Sequence, residues 1–252
     1  MERMQKRILI AVKTYPTLTL QHQEIVCTAG FLEDGSWIRL YPIRFRHIKT
    51  RFKKYQWIDV TVTKHPRDSR PETYMLTGPI RLGAIIRPTN GWRERKRIVL
   101  SRGFTDLCTL GDAEMSDISL AIVKPARVVD FFWEATAREW ESKQIAFMKQ
   151  NQLFEERAKP LEKIPFYFRY HFFCPKPNCR GHKLMIEDWE TMQLFRKMRD
   201  EHGETEGLNK VRQKFFDIIC AGNRDTYFFV GTHYRWQTWM ILGVFYPPRS
   251  AD

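Results

Sequence analysis

Two cysteines and two histidines lie close together in the segment YHFFCPKPNCRGH, residues 170–182. Cys174, Cys179 and His182 follow the spacing C-x4-C-x2-H, and thiolate and imidazole groups are ligands that zinc prefers in proteins. The two prolines and the glycine of the loop favour a turn that brings both thiolates to one ion. His171, three residues before Cys174, would complete a tetrahedral set. The sequence therefore predicts a structural zinc site with Cys174, Cys179, His182 and His171 as ligands.

The same segment has two other interpretations. Free cysteine behaves as a small apolar residue that is often buried, so the loop could be a metal-free turn. It could also be a redox pair, although the usual redox spacing is C-x-x-C. Cys220 and His233 are alternative fourth ligands, whereas Cys27 and Cys108 have no partner beside them in the sequence and are expected to stay outside the site. Because the five cysteines are odd in number and mostly scattered, a disulfide framework is not expected.

A second group of chemically useful residues is the acidic run MIEDWE. It places Glu187, Asp188 and Glu190 where a strand is predicted to end and a helix to begin, and carboxylates at such a position can hold Mg²⁺ for phosphodiester cleavage. His233 is a weak candidate for a catalytic base. The alternative is structural: Asp188 caps the helix, Glu190 favours its positive N-terminus, and His233 is a hydrogen-bonded turn residue.

The net charge of +13 comes from one segment. Residues Arg39 to Arg102 contain 17 basic and four acidic side chains, and the rest of the chain is balanced. Basic groups neutralise phosphates, and the aromatic residues among them could stack on unpaired bases. The alternative is a solvated or protein-binding basic face. The residues predicted to contact nucleic acid are Arg44, Arg46, Lys49, Arg51, Lys53, Lys54, Lys64, Arg67, Arg70, Arg87, Trp92, Arg93, Arg95, Lys96 and Arg97.

The elements that must position these residues divide the chain into two predicted domains. Short β-rich runs, with a tight-turn signal at Asp34-Gly35, predict a small basic β-barrel of five or six strands over residues 1–128. Aromatic residues at helical spacing from Phe131 onward predict a long connecting helix. Residues 129–252 are then this helix followed by an α+β domain that carries the Cys/His knuckle. The predicted fold class is α+β.

Several phrases of the sequence resemble a known family. VKTYP, VCTAG, WIRLYPIRF, GHK, DWE and VFYPP are similar to phrases in a family of bacterial hypothetical proteins, and the resemblance extends over nearly the whole chain. It implies a bacterial-type protein whose two halves belong together. It implies no activity and no site residues.

Three hypotheses about function follow. The first is a protein that binds DNA or RNA through the barrel, with zinc stabilising the C-terminal half. The second is a Mg²⁺-dependent nuclease, for example in bacterial defence or DNA processing, so enzymatic activity is left open. The third is a structural subunit with a protein partner. No apolar run reaches the length of a membrane span, and the apolar part of the N-terminus is too short for a signal peptide, so a cytoplasmic location is expected.

Overall fold

The structure is a computed structural model that describes residues 2–19, 23–44, 52–112, 118–151, 161–233 and 238–249. The fold is α+β, as predicted. The strands are β1 (Met4–Lys13), β2 (Thr17–Thr19), β3 (Gln23–Phe31), β4 (Trp37–Arg44), β5 (Gln56–Lys64), β6 (Thr73–Leu76), β7 (Arg81–Ile85), β8 (Leu120–Val123), β9 (Arg127–Ala135), β10 (Phe166–Phe173), β11 (His182–Met185), β12 (Tyr227–Thr232) and β13 (Trp239–Phe245). The helices are α1 (Arg93–Val99), α2 (Leu107–Asp112), α3 (Ser142–Asn151), α4 (Trp189–His202) and α5 (Glu204–Arg212).

Five strands of the N-terminal half close into a barrel. The strand order is β1-β3-β4-β6-β5, and β5 pairs back onto β1. The β4–β6 pairing is parallel and the other four are antiparallel. This connectivity is that of an OB-type Greek-key barrel. The predicted basic β-barrel is therefore confirmed, with β2 and β7 as additions on β3 and β5.

The hairpin predicted at Asp34-Gly35 joins β3 to β4. Gly35 adopts a φ of +79°, a conformation that glycine reaches without steric cost. Its amide donates to the Leu32 carbonyl, and the Asp34 carboxylate accepts from the amide and hydroxyl of Ser36. The turn chemistry therefore fixes the register in which Phe31 lies opposite Trp37.

Strand β1 belongs to two hydrophobic cores. Ile8 and Ile10 are fully buried inside the barrel. Leu9 and Ala11, which alternate with them, pack in a second core that contains residues of β12 and β13. Because both faces are covered, the strand reads as the continuous apolar run ILIAV rather than as an alternating pattern.

The C-terminal half consists of two three-stranded sheets and a helical layer. One sheet has the order β11-β10-β9, and the other has the order β13-β12-β8. The two sheets meet where the Glu187 amide donates to the Ile241 carbonyl. Helices α4 and α5 follow, and a π-helical turn over Gln213–Ile218 extends α5. Phe195 of α4 is fully buried against the aromatic face of β10.

The predicted connecting helix begins later than expected. Residues Arg127–Ala135 form strand β9, which pairs with β10, and the helix α3 begins at Ser142. The aromatic residues at Phe131 and Trp133 are two positions apart, and two is the strand period. The pairing with β10 buries Phe131 completely, and this long-range contact decides the structure. None of the helices in the described ranges is long and apolar enough to cross a membrane.

Candidate metal centre and interdomain pocket

Four side chains converge at the end of strand β10. Cys108, Cys174, Cys179 and His182 each offer one ligand atom, and all four atoms lie within 4.8 Å of one another. The Cys108 Sγ atom is 3.2 Å from His182 Nε2, and the Cys179 Sγ atom is 3.5 Å from the same nitrogen. Three thiols and one imidazole could therefore hold a metal ion.

The geometry of this Cys₃His group fits a tetrahedral ion. Ligands on metal bonds of about 2.3 Å in tetrahedral geometry are separated by roughly 3.8 Å, and somewhat less when one ligand is nitrogen. The loop is held closed from inside: the Cys174 amide donates to Cys179 Sγ at 3.2 Å, and the Cys179 amide donates to the Lys176 carbonyl. Gly181, at φ +83°, turns the chain between Cys179 and His182.

His171 is not a member of this group, and Cys108 takes the fourth position. Side chains of a strand alternate between its two faces, so residues three apart point to opposite sides. In β10, Tyr170 and Phe172 are buried and Cys174 continues on their side, whereas His171 is only half-buried on the other face. His171 therefore lies outside the Cys₃His group, and Cys108 is in the place that the sequence analysis gave to His171.

Sequence reasoning missed Cys108 because helix α2 brings it to the loop from 66 residues away in the chain. Leu107 and Leu110 anchor α2 in the C-terminal core, and Cys108 lies between them at the helix start. The Asp106 carboxylate accepts from the amide and hydroxyl of Thr109, which fixes this first turn. No pattern in the sequence links residue 108 to residue 174.

The protonation equilibria of the cluster reflect the crowding of its thiols. Burial, together with the neighbouring Cys179 and Cys174 side chains, raises the pKa of Cys108. Burial lowers the pKa of His182, which favours the neutral imidazole that a metal requires. Burial also acts on Cys179, but hydrogen bonds from the Cys174 and Gly181 amides outweigh it and lower the pKa of this thiol. A divalent cation at the centre would stabilise the deprotonated form of all three thiols.

The acidic residues of MIEDWE are divided between two cavities. Asp188 and Glu190 line a cleft of about 370 Å³ beside the π-helical turn, and Glu187 lines a separate pocket. Among the residues that the structure describes, the Cys₃His group alone brings three or more metal-ligand side chains together. The three carboxylates of MIEDWE are thus not brought together in one site: Asp188 and Glu190 share a cleft, and Glu187 lies apart from them.

Asp188, the N-cap residue of α4, forms a buried ion pair. Its side chain makes no capping hydrogen bond, and its Oδ1 atom accepts from Lys54 Nζ at 3.3 Å, while Glu190 Oε2 accepts from the same nitrogen at 3.0 Å. The Asp188 side chain is 2% exposed and that of Lys54 is 10% exposed. Burial disfavours the charged lysine, but the two carboxylates outweigh this effect and raise its pKa. Lys54 thus joins the barrel to the C-terminal half.

Glu187 lies in a pocket of about 190 Å³ between the barrel and the C-terminal half. We call it the interdomain pocket. The barrel contributes residues from β3, β4 and the β5–β6 loop, and the C-terminal half contributes Glu187 and the end of β12. The polar and aromatic residues of its lining include Cys27, Arg39, Tyr41, Arg70, Glu187 and His233.

Arg39 and Arg70 are held rigidly in the interdomain pocket. Arg39 is 1% exposed, and its guanidinium donates to Thr73 and to the hydroxyl and carbonyl of Ser119. Arg70 donates to both carboxylate oxygens of Asp68 and, through Nη1, to the Thr232 carbonyl at 2.7 Å. Both cations are therefore oriented before any ligand arrives.

The Glu187 carboxyl group is partly removed from water, and no hydrogen bond from a described residue replaces the water that it loses. Burial alone raises its pKa to about 7. No described residue donates a hydrogen bond to it, and its backbone groups are occupied by Tyr15 and Ile241. An acidic group kept in such an environment reduces folding stability.

Glu187→Gln is therefore expected to stabilise the protein more at pH 8 than at pH 5. Between the ordinary pKa of 4.5 and the folded value of about 7, the unfolded chain releases a proton that the folded chain retains. Ionisation thus reduces stability as the pH rises, by roughly 3 kcal/mol once the pH exceeds 7. Urea unfolding of both proteins at the two pH values measures the difference. An equal effect of the substitution at both would contradict the desolvation of Glu187.

The predicted nucleic-acid contacts divide into interior and exposed residues. Arg95 donates to the Ile86 carbonyl and lies 3.9 Å from the Tyr55 ring centroid, and Trp92 packs against Phe245 and Tyr246. Arg95, Trp92 and Lys54 therefore make contacts inside the protein and are not available to a ligand at the surface. Lys96 is half-buried. The exposed predicted residues are Lys53, Lys64, Arg67, Arg87, Arg93 and Arg97. The side chains of Arg44, Arg46, Lys49 and Arg51 lie outside the described residues.

Comparisons with known proteins identify the sequence family of this chain. A family described as a domain of unknown function (DUF8757) matches residues 101–252, and a second such domain (DUF8758) matches residues 4–101. No curated protein matches the chain. A solved structure of a murine DNA-binding protein bound with double-stranded DNA is similar at 8% identity, covering 100% of this chain and 98% of that chain, with a TM-score of 0.28. A likeness at this level supports no conclusion about fold or function.

Proposed function

We propose that this chain, which belongs to the family described as a domain of unknown function (DUF8757), is a nucleic-acid-binding protein. In this proposal the basic barrel contacts the phosphate backbone, and a structural zinc ion at the Cys₃His group stabilises the C-terminal half. The ligand is DNA or RNA.

One observation carries the proposal: exposed cations remain after the structural ones are accounted for. Arg87, Arg93 and Arg97 are exposed and form no ion pair with any described residue. Arg93 and Arg97 are four residues apart on α1, so they lie on the same face of the helix. Unpaired cations on one element of a segment with so large a charge excess suit a polyanion better than a neutral surface.

The barrel topology supports the same proposal by analogy. OB-type barrels bind oligonucleotides on the face of their second and third strands, together with the loops that follow strands one and four. In this chain those elements are β3, β4, the described residues 14–19 after β1, and the β5–β6 loop. Exposed Lys64 ends β5, and exposed Arg67 lies in the β5–β6 loop that follows it. Because a fold hosts many functions, the charge distribution remains the stronger argument.

Zinc is the metal that best matches the Cys₃His group. Three thiolates and one imidazole form a closed tetrahedral set of the kind found in structural zinc sites. Closed coordination leaves no position for a substrate, so the ion would contribute folding stability and not chemistry.

Replacing Arg87, Arg93 and Arg97 together with Gln is expected to weaken nucleic-acid binding and to flatten its salt dependence. Each lost phosphate contact lowers the slope of log affinity against log salt by about 0.7–0.9, so the triple variant should lose about 2–3 from the slope. Affinity at 50 mM salt should fall on the order of 10- to 100-fold. Fluorescence anisotropy with labelled single- and double-stranded DNA and RNA, from 50 to 300 mM salt, measures both quantities.

The matched control replaces Lys143, Lys197 and Lys210 with Gln. These lysines lie on helices of the C-terminal half, and the variant loses the same net charge. Equal weakening in both variants would mean that net charge, and not the α1 surface, attracts the ligand. An unchanged slope in the first variant, or no binding of wild-type protein to any of the four nucleic acids at 50 mM salt, would overturn the proposal.

A further inference from the structure

The interdomain pocket contains two polar groups of opposite kind that do not satisfy each other. The Nε atom of Arg39 is buried and has no hydrogen-bond partner in the described structure. The Glu187 carboxylate, in the same lining, accepts no hydrogen bond from a described residue. An unmatched buried donor such as Arg39 Nε costs about 1–3 kcal/mol, and Glu187, which is half-buried, offers an acceptor without a described donor in the same lining. A ligand that enters the pocket could supply both missing partners.

The position of the pocket points to the kind of ligand. Its barrel side is formed by Cys27 of β3, Arg39 and Tyr41 of β4, and Arg70 of the β5–β6 loop. These are the elements with which OB-type barrels bind oligonucleotides. The C-terminal half closes the other side with Glu187 and Thr232. A strand that runs across the barrel would thus pass the mouth of the pocket.

We infer that the interdomain pocket binds one unpaired guanine base of a single-stranded nucleic acid, an assignment that rests on the proposed function. The Glu187 carboxylate would accept hydrogen bonds from the base, and Arg39 and Arg70 would donate to it. The Tyr41 ring supplies an aromatic surface in the same lining. The pocket thereby becomes the site of base preference in a protein whose other contacts are to phosphate.

Guanine is the base whose edges match this set of groups. Its O6 and N7 atoms are adjacent acceptors, to which arginine is the most common specific donor. Its N1–H and N2–H₂ groups are adjacent donors that can bind both oxygens of one carboxylate. Adenine and cytosine present a donor beside an acceptor on the edge that would face Glu187, and thymine lacks the pair of donors. An ionised carboxylate therefore favours guanine over the other three.

The size of the pocket agrees with a base alone. Its volume of about 190 Å³ is below the roughly 300–1,000 Å³ of pockets for drug-sized ligands, so a whole nucleotide does not fit inside. The sugar and phosphate would stay outside, where exposed cations close to Arg70 in the chain could contact them: Arg67 on the same loop and Lys64 at the end of β5. An unpaired base can leave the stack and enter such a pocket, as single-stranded recognition requires.

The test compares dodecamers of thymidine with dodecamers that carry one central dG, dA or dC, at 100 mM salt. A single dG should tighten binding of wild-type protein about tenfold, since one good bidentate contact discriminates bases by about 1–3 kcal/mol. Glu187→Gln should abolish this preference. Tyr41→Leu should also weaken the binding of the dG-containing strand, because it removes the aromatic surface from the pocket lining. Glu206→Gln, which changes a half-buried glutamate of α5 that is outside the pocket lining, should preserve the preference.

A second arm uses guanosine alone and separates this inference from the proposed function. Millimolar guanosine should raise the melting temperature of wild-type protein but not of Glu187→Gln, whereas thymidine should have no effect on either. Strands that bind equally well with and without dG, or a preference for another base, would overturn the guanine assignment and leave the proposed function standing. If no strand binds but guanosine still stabilises the protein, the pocket is upheld and the proposed function fails. If guanosine has no effect and no dG preference exists, the pocket assignment fails.

Discussion

Cys108→Ser is expected to release the metal ion as completely as Cys174→Ser or Cys179→Ser. All three thiols lie within 4.8 Å of one another and of the His182 ligand atom, so each supplies a quarter of the coordination shell. An ion that binds the folded chain but not the unfolded chain adds its binding free energy to the folding stability. Structural zinc commonly contributes several kcal/mol in this way. Each variant should therefore unfold about 10 °C or more below wild-type protein, since about 1 kcal/mol corresponds to roughly 2–4 °C at this chain length. Elemental analysis should give about one zinc per wild-type chain and none in the variants.

Two controls make the result specific. His171→Ala should keep the metal, because His171 lies on the opposite face of β10, and Cys27→Ser should keep it because Cys27 lies in the interdomain pocket. Chelator treatment of wild-type protein should lower its melting temperature to that of Cys108→Ser. Metal loss in His171→Ala, or metal retained in Cys108→Ser, would contradict the Cys₃His assignment.

Lys54→Met is expected to cost about 3–5 kcal/mol of folding stability, the typical effect of removing one partner of a buried ion pair. The methionine fills the same space, but Asp188, which is 2% exposed, loses its counter-ion. Burial already raises the pKa of Asp188 to about 7 with Lys54 present, so without Lys54 the carboxyl group must either keep an unpaired buried charge or take up a proton, and both cost folding stability. Urea unfolding at pH 7.5 measures the effect. The double variant Lys54→Met, Asp188→Asn should recover much of the loss, because neither charge is then left alone.

The neighbouring lysine provides the matched control for this substitution. Lys53 is exposed, and Lys53→Met should change stability by no more than about 0.5 kcal/mol. The sequence predicted that both lysines contact nucleic acid. If Lys54→Met keeps full stability and selectively loses nucleic-acid binding, Lys54 acts at the ligand and the interior role described above is wrong.

The candidate metal site shows which part of a site local sequence reveals. The loop ligands Cys174, Cys179 and His182 were predictable, because short spacing and turn residues make their convergence a local property. The choice of His171 as fourth ligand could have been checked against strand alternation. His171 lies three residues before Cys174, and in a strand an odd spacing puts two side chains on opposite faces. Cys108 was not predictable, because its position depends on how helix α2 packs in the C-terminal core.

The basic segment shows a different limit. Its charge excess, its strands and its hairpin at Asp34-Gly35 follow from composition, alternation and turn chemistry. Burial of individual cations does not, because Lys53 and Lys54 are identical in type and adjacent in sequence, yet one is exposed and the other holds Asp188. The same applies to Phe131, where aromatic spacing compatible with a helix was overruled by pairing with β10.

The two faces of strand β1 have a consequence for how this protein can change over evolution. Because Leu9 and Ala11 pack with residues of β12 and β13, the barrel cut out at residue 101 would present a broad apolar wall to water. We therefore expect the two sequence families that divide the chain near that residue to form an obligate pair and not interchangeable modules. Shuffling either one onto another protein would require a new partner surface that matches this wall, so the pair is expected to be inherited as a unit.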